Sequence, residues 1–287
     1  MHSTTLRGVA WMSGAVLSFC AMAIAARQLL LHMGTFEVLF FRTALSMLIV
    51  LPLAWRSGLG RLRTRRFGTH LWRNLFHFGG QAAWVYSLGV LPLATVFAIE
   101  FTTPVWVAAA AVLVLGERMT RGRLVMLTLG IAGVLVILRP GASAMQPAAF
   151  VMLAGALGFA GNMIGTKRLS STDSPLAVLF WMSIIQTPIC LAFAWHTWAM
   201  PGMEEAPWIA AIVCGHFTAH YCLTRAMKLA DATVVGPVDF FRLPLIAAIG
   251  ALFYGEPFDP AVMVGAAMMF SGTYYSLSQE RRRRAAA

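Results

Sequence analysis

Apolar residues along this chain fall into ten stretches separated by short runs of Arg, Gly and Pro. The first five cover residues 8–31, 36–55, 71–90, 93–115 and 124–138, and the second five cover residues 148–165, 175–198, 208–223, 232–254 and 261–277. A helix needs about 20 predominantly apolar residues to cross a lipid bilayer. The pattern therefore predicts an all-α membrane protein with ten transmembrane helices.

Composition indicates a single membrane domain. Apolar residues make up 59% of the chain and charged residues 11%, whereas a soluble domain carries roughly 25% charged residues. The apolar run after Arg7 resembles a cleaved signal peptide. Because a further span follows it and the second half contains its counterpart, we interpret it as the first helix. The cysteines all lie in apolar stretches without metal-ligand spacing, so we expect neither disulfides nor a metal: Cys20, Cys190, Cys214 and Cys222.

The net charge of +11 does not indicate a nucleic-acid partner, because the basic residues flank apolar stretches instead of alternating with aromatic residues. Cytosolic ends of membrane helices are enriched in Lys and Arg. With a cytosolic N-terminus, most of the 22 Lys and Arg lie on that side, among them Arg73 and the run Arg281 to Arg284. Such clusters attract anionic lipid head groups. The placement predicts both termini in the cytosol and a location in the cytoplasmic (inner) membrane.

An internal duplication appears when the chain is shifted against itself by about 140 residues. At nearly one shift, polar residues of the two halves coincide: His77 with His216, Glu100 with Asp239, and Gly116-Glu117 with Gly255-Glu256. We predict two five-helix repeats, residues 1–140 and 141–287. Since five is an odd number, the second repeat must enter the membrane inverted. Inverted repeats are typical of secondary transporters, with the substrate near the midplane where the halves meet.

The sequence resembles the drug/metabolite transporter superfamily, specifically the ten-helix bacterial exporters with two EamA-type repeats. The resemblance is carried by residues 115–118 (LGER), residues 254–257 (YGEP), Phe41-Arg42 and Pro104. It implies export of small molecules such as amino acids through a central cavity, and the overall pattern is most similar to exporters of amino acids, including aromatic ones. The second half departs from the pattern because Arg242 stands close to the equivalent of Pro104.

Polar side chains inside the apolar stretches are candidates for substrate binding. His77, Gln81 and Trp84 share one face of the third stretch, and His216 and His220 share a face of the eighth. Polar groups at mid-membrane are costly unless they face a cavity or a partner. We therefore predict that these five residues bind substrate, with hydrogen bonding between helices as the alternative. No third ligand accompanies the two histidines, so we expect no metal and no cofactor.

Asn162, in the sixth stretch, lies in a Gly-rich run, residues 158–162. Small residues let helices approach closely, while the Asn side chain can reach a cavity. Both interpretations stay open, and Asn162 is kept as a candidate substrate-binding residue.

Four charged residues are placed well inside the membrane, namely Arg42, Glu100, Asp239 and Arg242, and each must find a partner or a function. Glu100 and Arg42 have similar predicted depths, so a salt bridge between them is geometrically feasible. Asp239 and Arg242 are i, i+3 neighbours and can pair locally. Structural pairing is one interpretation, and we assign it to Arg42. The other interpretation is that these charges recognise a zwitterion or couple transport to a proton through a carboxylate. We therefore include Glu100, Asp239 and Arg242 among the substrate-binding residues.

Prolines and Gly-Glu pairs are predicted to have structural roles. Pro104 and Pro244 fall within the fourth and ninth stretches, where proline removes a backbone hydrogen bond and kinks a helix. Glycine at Gly116 and Gly255 permits the left-handed geometry that ends a helix. The acidic residues that follow, Glu117 and Glu256, suit the positive end of the next helix dipole.

These features predict a secondary exporter of small metabolites, first of all aromatic or neutral amino acids, that works by alternating access. The alternative is uptake or exchange of a vitamin- or nucleoside-like metabolite. An intramembrane enzyme is a remote alternative, because no nucleophile and base are placed together. The sequence lacks a Walker motif (GxxxxGK[ST]), so we expect no ATPase of its own, and a proton is the candidate coupling ion.

Overall fold

A computed structural model describes residues 2–113, 119–139, 146–169, 171–230 and 232–286. Within these ranges every regular element is a helix. The α-helices are α1 (His2–Leu29), α2 (Thr35–Ser57), α3 (Phe67–Val90), α4 (Leu93–Glu100), α5 (Thr103–Leu113), α6 (Arg121–Leu138), α7 (Pro147–Leu169), α8 (Pro175–Ala194), α9 (Ala206–Leu229), α10 (Ala232–Phe240), α11 (Arg242–Tyr254) and α12 (Pro260–Ala286). One 3-10 helix, η1 (Leu59–Leu62), lies between α2 and α3.

In the described part of the chain, seven helical segments are long and apolar enough to span a membrane. They are Thr4–Leu29, Thr35–Ser57, Leu93–Leu113, Arg121–Leu138, Pro147–Leu169, Pro175–Ala194 and Val234–Tyr254. The other three predicted spans correspond to α3, α9 and α12, which have 24, 24 and 27 residues. These three helices are long enough to cross but less apolar. In α3 the polar residues Asn74, His77 and Gln81 are buried, so they face protein instead of lipid.

Large apolar side chains cover much of the outside of the helix bundle. Trp55, Leu113 and Leu252 are each largely exposed. A soluble protein seldom exposes extended apolar surface, because contact with water disfavours it. This surface suits lipid, and the protein is a multi-pass membrane protein.

The fourth and ninth predicted spans are interrupted in mid-membrane. In the fourth, α4 ends at Glu100 and α5 begins at Thr103; in the ninth, α10 ends at Phe240 and α11 begins at Arg242. The predicted kinks at Pro104 and Pro244 fall in the first turn after each interruption, where the absent proline N–H costs least. The Thr103 hydroxyl donates to the Glu100 carbonyl over 2.7 Å. That carbonyl is thus satisfied within the protein and is not left for a substrate.

The main helix contacts join the first half of the chain to the second. Helix α1 packs on α9, α3 on α7, α2 on α8, α6 on α12, and α4 on α11. In the predicted repeats α1 is equivalent to α7 and α3 to α9, so exchanging the two halves converts the α1–α9 contact into the α3–α7 contact. Each of the other three pairs joins two equivalent spans and is therefore unchanged. The buried core is therefore shared between the halves, with Phe97 and Met152 among its fully buried members.

Glycines allow close backbone contact between several of these pairs. A Cβ atom on Gly158 of α7 would lie 2.7 Å from the Phe76 carbonyl oxygen of α3. Gly133 of α6 and Gly265 of α12 each bring a hypothetical Cβ within 2.6 Å of the other's carbonyl oxygen. Larger residues at these positions would separate the helices.

Charged and polar side chains join separate parts of the bundle at two places. In the α7–α8 connection, Asp173 accepts a hydrogen bond from Thr64 over 2.7 Å and lies 2.6 Å from Nε2 of His70. Elsewhere, Arg27 of α1 lies 3.0 Å from Glu256. The α2–α3 and α7–α8 connections are thereby joined, and α1 is joined to the end of α11.

The Gly255-Glu256 pair ends α11, but Glu256 does not serve the helix that follows it. Gly255 adopts the left-handed conformation, with φ of 61°. The Glu256 carboxylate accepts a hydrogen bond from the Leu93 N–H over 2.8 Å, at the start of α4. The expectation that it would sit at the next helix was therefore wrong, because the end of α11 lies beside α4. Gly116 and Glu117 lie outside the described residues.

Candidate functional site

Arg242 binds two carboxylates where the two interrupted helices meet. Its Nη1 lies 3.2 Å from Oε1 of Glu100, and its Nη2 lies 3.4 Å from Oδ2 of Asp239. Glu100 is the last residue of α4 and Arg242 the first of α11. The Arg242 side chain is 5% exposed, whereas those of Glu100 and Asp239 are 18% and 26% exposed. Both acidic side chains are therefore partly exposed, although Oδ1 of Asp239 is buried and has no hydrogen-bond partner among the described residues.

The predicted pairing of Arg42 with Glu100 was wrong. Glu100 pairs with Arg242, while the Arg42 guanidinium donates to Oε1 of Gln81. Similar depth does not bring two helices together. Helix α4 packs on α11, whereas α2 packs on α8 and α9. The local pair of Asp239 and Arg242 is present.

Aromatic rings surround the Arg242 guanidinium. Its Cζ atom lies 4.7 Å from the ring centre of Phe19, 5.1 Å from Phe97 and 4.9 Å from Phe101. A cation over an aromatic face is stabilised by the ring quadrupole. Trp84, a predicted site residue, donates from Nε1 to Oε2 of Glu100 over 2.8 Å. The arrangement combines carboxylates with aromatic surface.

Phe101 and Phe240 were missed by the sequence analysis. Their rings stack with centres 4.3 Å apart, and each follows a site carboxylate directly, Glu100 in one half and Asp239 in the other. The shift of 139 residues that aligns the carboxylates also aligns these two rings. This alignment of two aromatic residues could have identified them from the sequence.

A second polar cluster lies between α2, α3 and α8. Gln81 Nε2 lies 2.9 Å from Nε2 of His77, and His77 Nδ1 lies 3.0 Å from Nε2 of Gln186. Gln186 also donates to Oδ1 of Asn74 over 3.1 Å. His77 and Gln81 are buried and bonded to other side chains, which is the alternative foreseen for them. Gln186 was not predicted, although it stands alone in an apolar stretch.

His216 and His220 of α9 connect to the Arg242 site through Phe19. The two imidazole rings have centres 4.7 Å apart, and the rings of His220 and Phe19 form an edge-to-face pair with centres 5.9 Å apart. His216 is buried, and among the described residues its Nε2 has no hydrogen-bond partner. Over the described ranges, no three His, Cys, Asp or Glu side chains are grouped to hold a metal ion. Phe19 contacts both His220 and Arg242 and so joins this histidine pair to the Arg242 site.

Arg73, which the charge pattern places at the cytosolic end of the third span, is buried against α7. It donates to Thr166 over 3.0 Å and to Asn74 over 3.2 Å. Asn162 is half-buried on α7 and accepts from the Thr166 hydroxyl over 3.5 Å. Its side chain is thus linked to Arg73 through Thr166.

An open groove of about 860 Å³ lies between α2, α3 and α7. Its lining is almost entirely apolar and includes Phe36, Leu75 and Val151. None of the predicted site residues lines this groove. A groove of this character suits lipid chains better than a polar metabolite.

Comparison with known proteins shows which family shares the sequence pattern of this chain. The sequence pattern of the EamA-like transporter family matches residues 6–139 and again residues 146–278. This chain belongs to the EamA-like transporter family. The expected membership of the drug/metabolite transporter superfamily and the inner-membrane location are thereby confirmed.

Relatives of this EamA-like transporter are named for several substrates. An S-adenosylmethionine uptake transporter from Rickettsia felis is 27% identical over 97% of this chain and 95% of its own. A riboflavin transporter from Brucella anthropi is 30% identical over 85% of this chain and 88% of its own. A pseudopaline exporter from Pseudomonas aeruginosa is 24% identical over 89% of this chain and 90% of its own. These names do not support the specific expectation of amino-acid export.

A solved structure has the same fold. A crystal structure of a protein with 17% sequence identity covers 98% of this chain and 99% of its own, with a TM-score of 0.67. At this identity the likeness concerns the fold alone.

Proposed function

We propose that this protein is a secondary transporter that carries S-adenosylmethionine or a similar cationic metabolite across the inner membrane by alternating access. The observation that carries the proposal is the composition of the Arg242 site. Two carboxylates, Glu100 and Asp239, share one guanidinium. With both carboxylates ionised, the site holds one net negative charge. A cationic group on the substrate would balance it in surroundings where an unbalanced charge is costly.

The aromatic residues support the same substrate class. Phe19, Phe97 and Phe101 surround the site, and Trp84 binds Glu100. Aromatic faces attract cations and stack on heterocycles. S-Adenosylmethionine has a sulfonium cation, an α-ammonium group and an adenine ring. The transport activity for which the Rickettsia felis relative is named agrees with this chemistry.

Alternating access is supported by the relation between the halves. The family pattern matches the chain twice, the helix contacts are preserved when the halves are exchanged, and both interrupted spans place a carboxylate at the break. Paired discontinuous helices and inverted repeats characterise secondary transporters whose substrate binds near the midplane. Ten spans, inverted repeats at residues 1–140 and 141–287, and cytosolic termini complete this proposal.

Riboflavin or another vitamin-like metabolite is the second candidate. The riboflavin transporter of Brucella anthropi has the higher identity, 30%, and the aromatic residues would suit a flavin ring. Riboflavin is uncharged at neutral pH, so it leaves the excess negative charge unbalanced. Amino-acid export, the first prediction from the sequence, is the third candidate and belongs in the same test.

Counterflow in proteoliposomes tests the proposal. Purified protein is reconstituted with unlabelled S-adenosylmethionine inside, and accumulation of the labelled compound is measured. Riboflavin and a panel of amino acids are tested in the same way. We expect Asp239→Asn to reduce counterflow of S-adenosylmethionine by about tenfold or more, because loss of a desolvated charge partner costs about 2–5 kcal/mol. Asp259→Asn is the matched control, since Asp259 pairs with Arg139 away from the site, and it should stay within about twofold of wild type.

The outcomes separate the candidates. Counterflow of riboflavin without S-adenosylmethionine supports the second candidate, and counterflow of amino acids alone supports the third. Absence of counterflow for every solute contradicts transport. Repeating the successful assay as net uptake with an imposed pH gradient tests the predicted proton coupling, because a coupled transporter accumulates substrate against its gradient.

A further inference from the structure

We infer that Arg42, Gln81 and His216 form a subsite for a carboxylate group of the transported metabolite. The inference rests on the proposed transport function and narrows its substrate to metabolites that carry an amino-acid carboxylate. Arg42, first interpreted as structural, thereby becomes a substrate-binding residue.

Arg42 is a buried cation without a carboxylate partner. Its side chain is among the largest that are fully buried, and the residue is 2% exposed. Its guanidinium donates to Gln81, and its Nε has no acceptor within the part of the chain that the structure describes. Among the described residues, no Asp or Glu forms an ion pair with it, whereas three other arginines each have a carboxylate partner: Arg27, Arg139 and Arg242. A buried charge without a partner is strongly unfavourable, so a negative ligand would stabilise this site.

The hydrogen bonds around Arg42 leave several polar groups unpaired. Because Arg42 only donates, Gln81 must present its oxygen to Arg42 and its Nε2 to His77. Gln186 Nε2 faces the other nitrogen of the same ring, and among the described residues the buried Gln186 oxygen has no partner. A neutral imidazole accepts at one nitrogen only, so one N–H of this group faces another donor while the Gln186 oxygen stays unpaired. The donor that this group leaves for a carboxylate is the Nε of Arg42.

His216 supplies a further unused group, on a helix that packs against the helix of Arg42. Among the described residues its buried Nε2 has no hydrogen-bond partner, and its helix α9 packs on α2. A carboxylate accepts several hydrogen bonds at once and matches a guanidinium edge. Its chemistry therefore suits the free Nε of Arg42 and an N–H of His216.

The subsite adjoins the site that is proposed to bind the cationic group. His220 lies beside His216, and Phe19 contacts both His220 and Arg242. His216, His220 and Phe19 thus link the region of Arg42, where positive charge is unbalanced, to the Arg242 site, which holds one net negative charge when both carboxylates are ionised. A metabolite with a carboxylate at one end and a cation further along, as in the methionine part of S-adenosylmethionine, matches both.

Competition with a decarboxylated analogue tests the subsite. Counterflow of labelled S-adenosylmethionine is inhibited with unlabelled S-adenosylmethionine or with decarboxylated S-adenosylmethionine, which keeps the sulfonium and the adenine. In wild type we expect the analogue to inhibit about tenfold less well or worse, as for loss of a charged hydrogen-bonded partner. In Arg42→Gln the two compounds should inhibit equally, because S-adenosylmethionine loses its advantage.

Two further variants keep the test decisive. Arg139→Gln removes a positive charge at an exposed ion pair and should keep the wild-type preference. Arg42→Lys keeps the charge without the planar fork that a carboxylate prefers, and should give an intermediate preference even if Arg42→Gln does not fold. Equal inhibition by both compounds in wild type would overturn the subsite and leave transport standing. So would an unchanged preference in both Arg42 variants. Absence of counterflow for every solute would instead overturn the proposed function and the subsite together.

Discussion

Glu100 and Arg242 lie at facing interruptions of two helices from opposite halves of the chain, with Oε1 of Glu100 3.2 Å from Nη1 of Arg242. Helix ends expose polar backbone groups that an unbroken helix would satisfy. Charged side chains at such a point join the two halves in the region that we propose to bind the substrate. Under that proposal, stability and substrate binding depend on the same residues.

Arg242→Gln should destabilise the protein strongly, because it leaves Glu100 and Asp239 close together without a counter-charge. Removing one partner of a buried ion pair costs about 3–5 kcal/mol. Unfolding of the purified variant in mixed micelles would measure the loss. The double variant with Glu100→Gln has the wild-type net charge at this site and should recover part of the loss. If Arg242→Gln unfolds no more easily than Arg139→Gln, the ion pair does not hold the halves together.

Gly158→Ala should destabilise the contact between α7 and α3. The added Cβ would lie 2.7 Å from the Phe76 carbonyl oxygen and 2.8 Å from the Gly80 nitrogen, and backbone atoms cannot yield easily. Overpacking of this kind costs about 1–3 kcal/mol. Gly79→Ala is the matched control, because a Cβ there meets nothing within 4 Å. Unfolding in mixed micelles compares the two variants, and equal stability would contradict the close approach of these helices.

The Asp173 contacts should weaken in acid. Burial acts most strongly on this carboxyl and favours its neutral form, but hydrogen bonds from Thr64, His70 and Thr172 together lower the pKa of Asp173 below its ordinary value. A group with a lowered pKa stabilises the fold above its unfolded pKa, about 3.9, and loses that contribution as the pH falls through the folded value.

Asp173→Asn tests this dependence. Wild type should exceed the variant in thermal stability at about pH 5.5, and the difference should shrink toward about pH 3, as the carboxylate takes up a proton. Asp259→Asn, at an exposed ion pair, serves as the control. A difference that stays constant over this range would show that ionisation of Asp173 does not stabilise the connection between α2–α3 and α7–α8.

The hydrophobic pattern predicted helices well, because each apolar stretch must satisfy its backbone within itself once it enters lipid. It also located the two carboxylates, since Glu100 and Asp239 stand at one shift between the halves. The proline positions indicated where the fourth and ninth spans would be disturbed. These are local or periodic properties, which a sequence records directly.

Neighbouring helices could not be predicted in the same way. Arg42 and Glu100 have similar predicted depths in the membrane, but helix packing joins Arg42 to Gln81 and Glu100 to Arg242. Arg73 likewise donates to Thr166 of α7. These are contacts between residues distant in the chain, which hydropathy and charge do not determine.

If the two halves enclose a site that opens to each side of the membrane in turn, reagents on both faces should reach that site, and cysteine labelling measures this access. A single cysteine at Phe240→Cys, beside Asp239, is introduced after the native cysteines are replaced, and a membrane-impermeant thiol reagent is applied to each face of oriented vesicles. Leu113→Cys, on the apolar outer surface, is the unlabelled control. We predict labelling at position 240 from both faces, slowed by S-adenosylmethionine. Labelling from one face only, or from neither, would contradict alternating access.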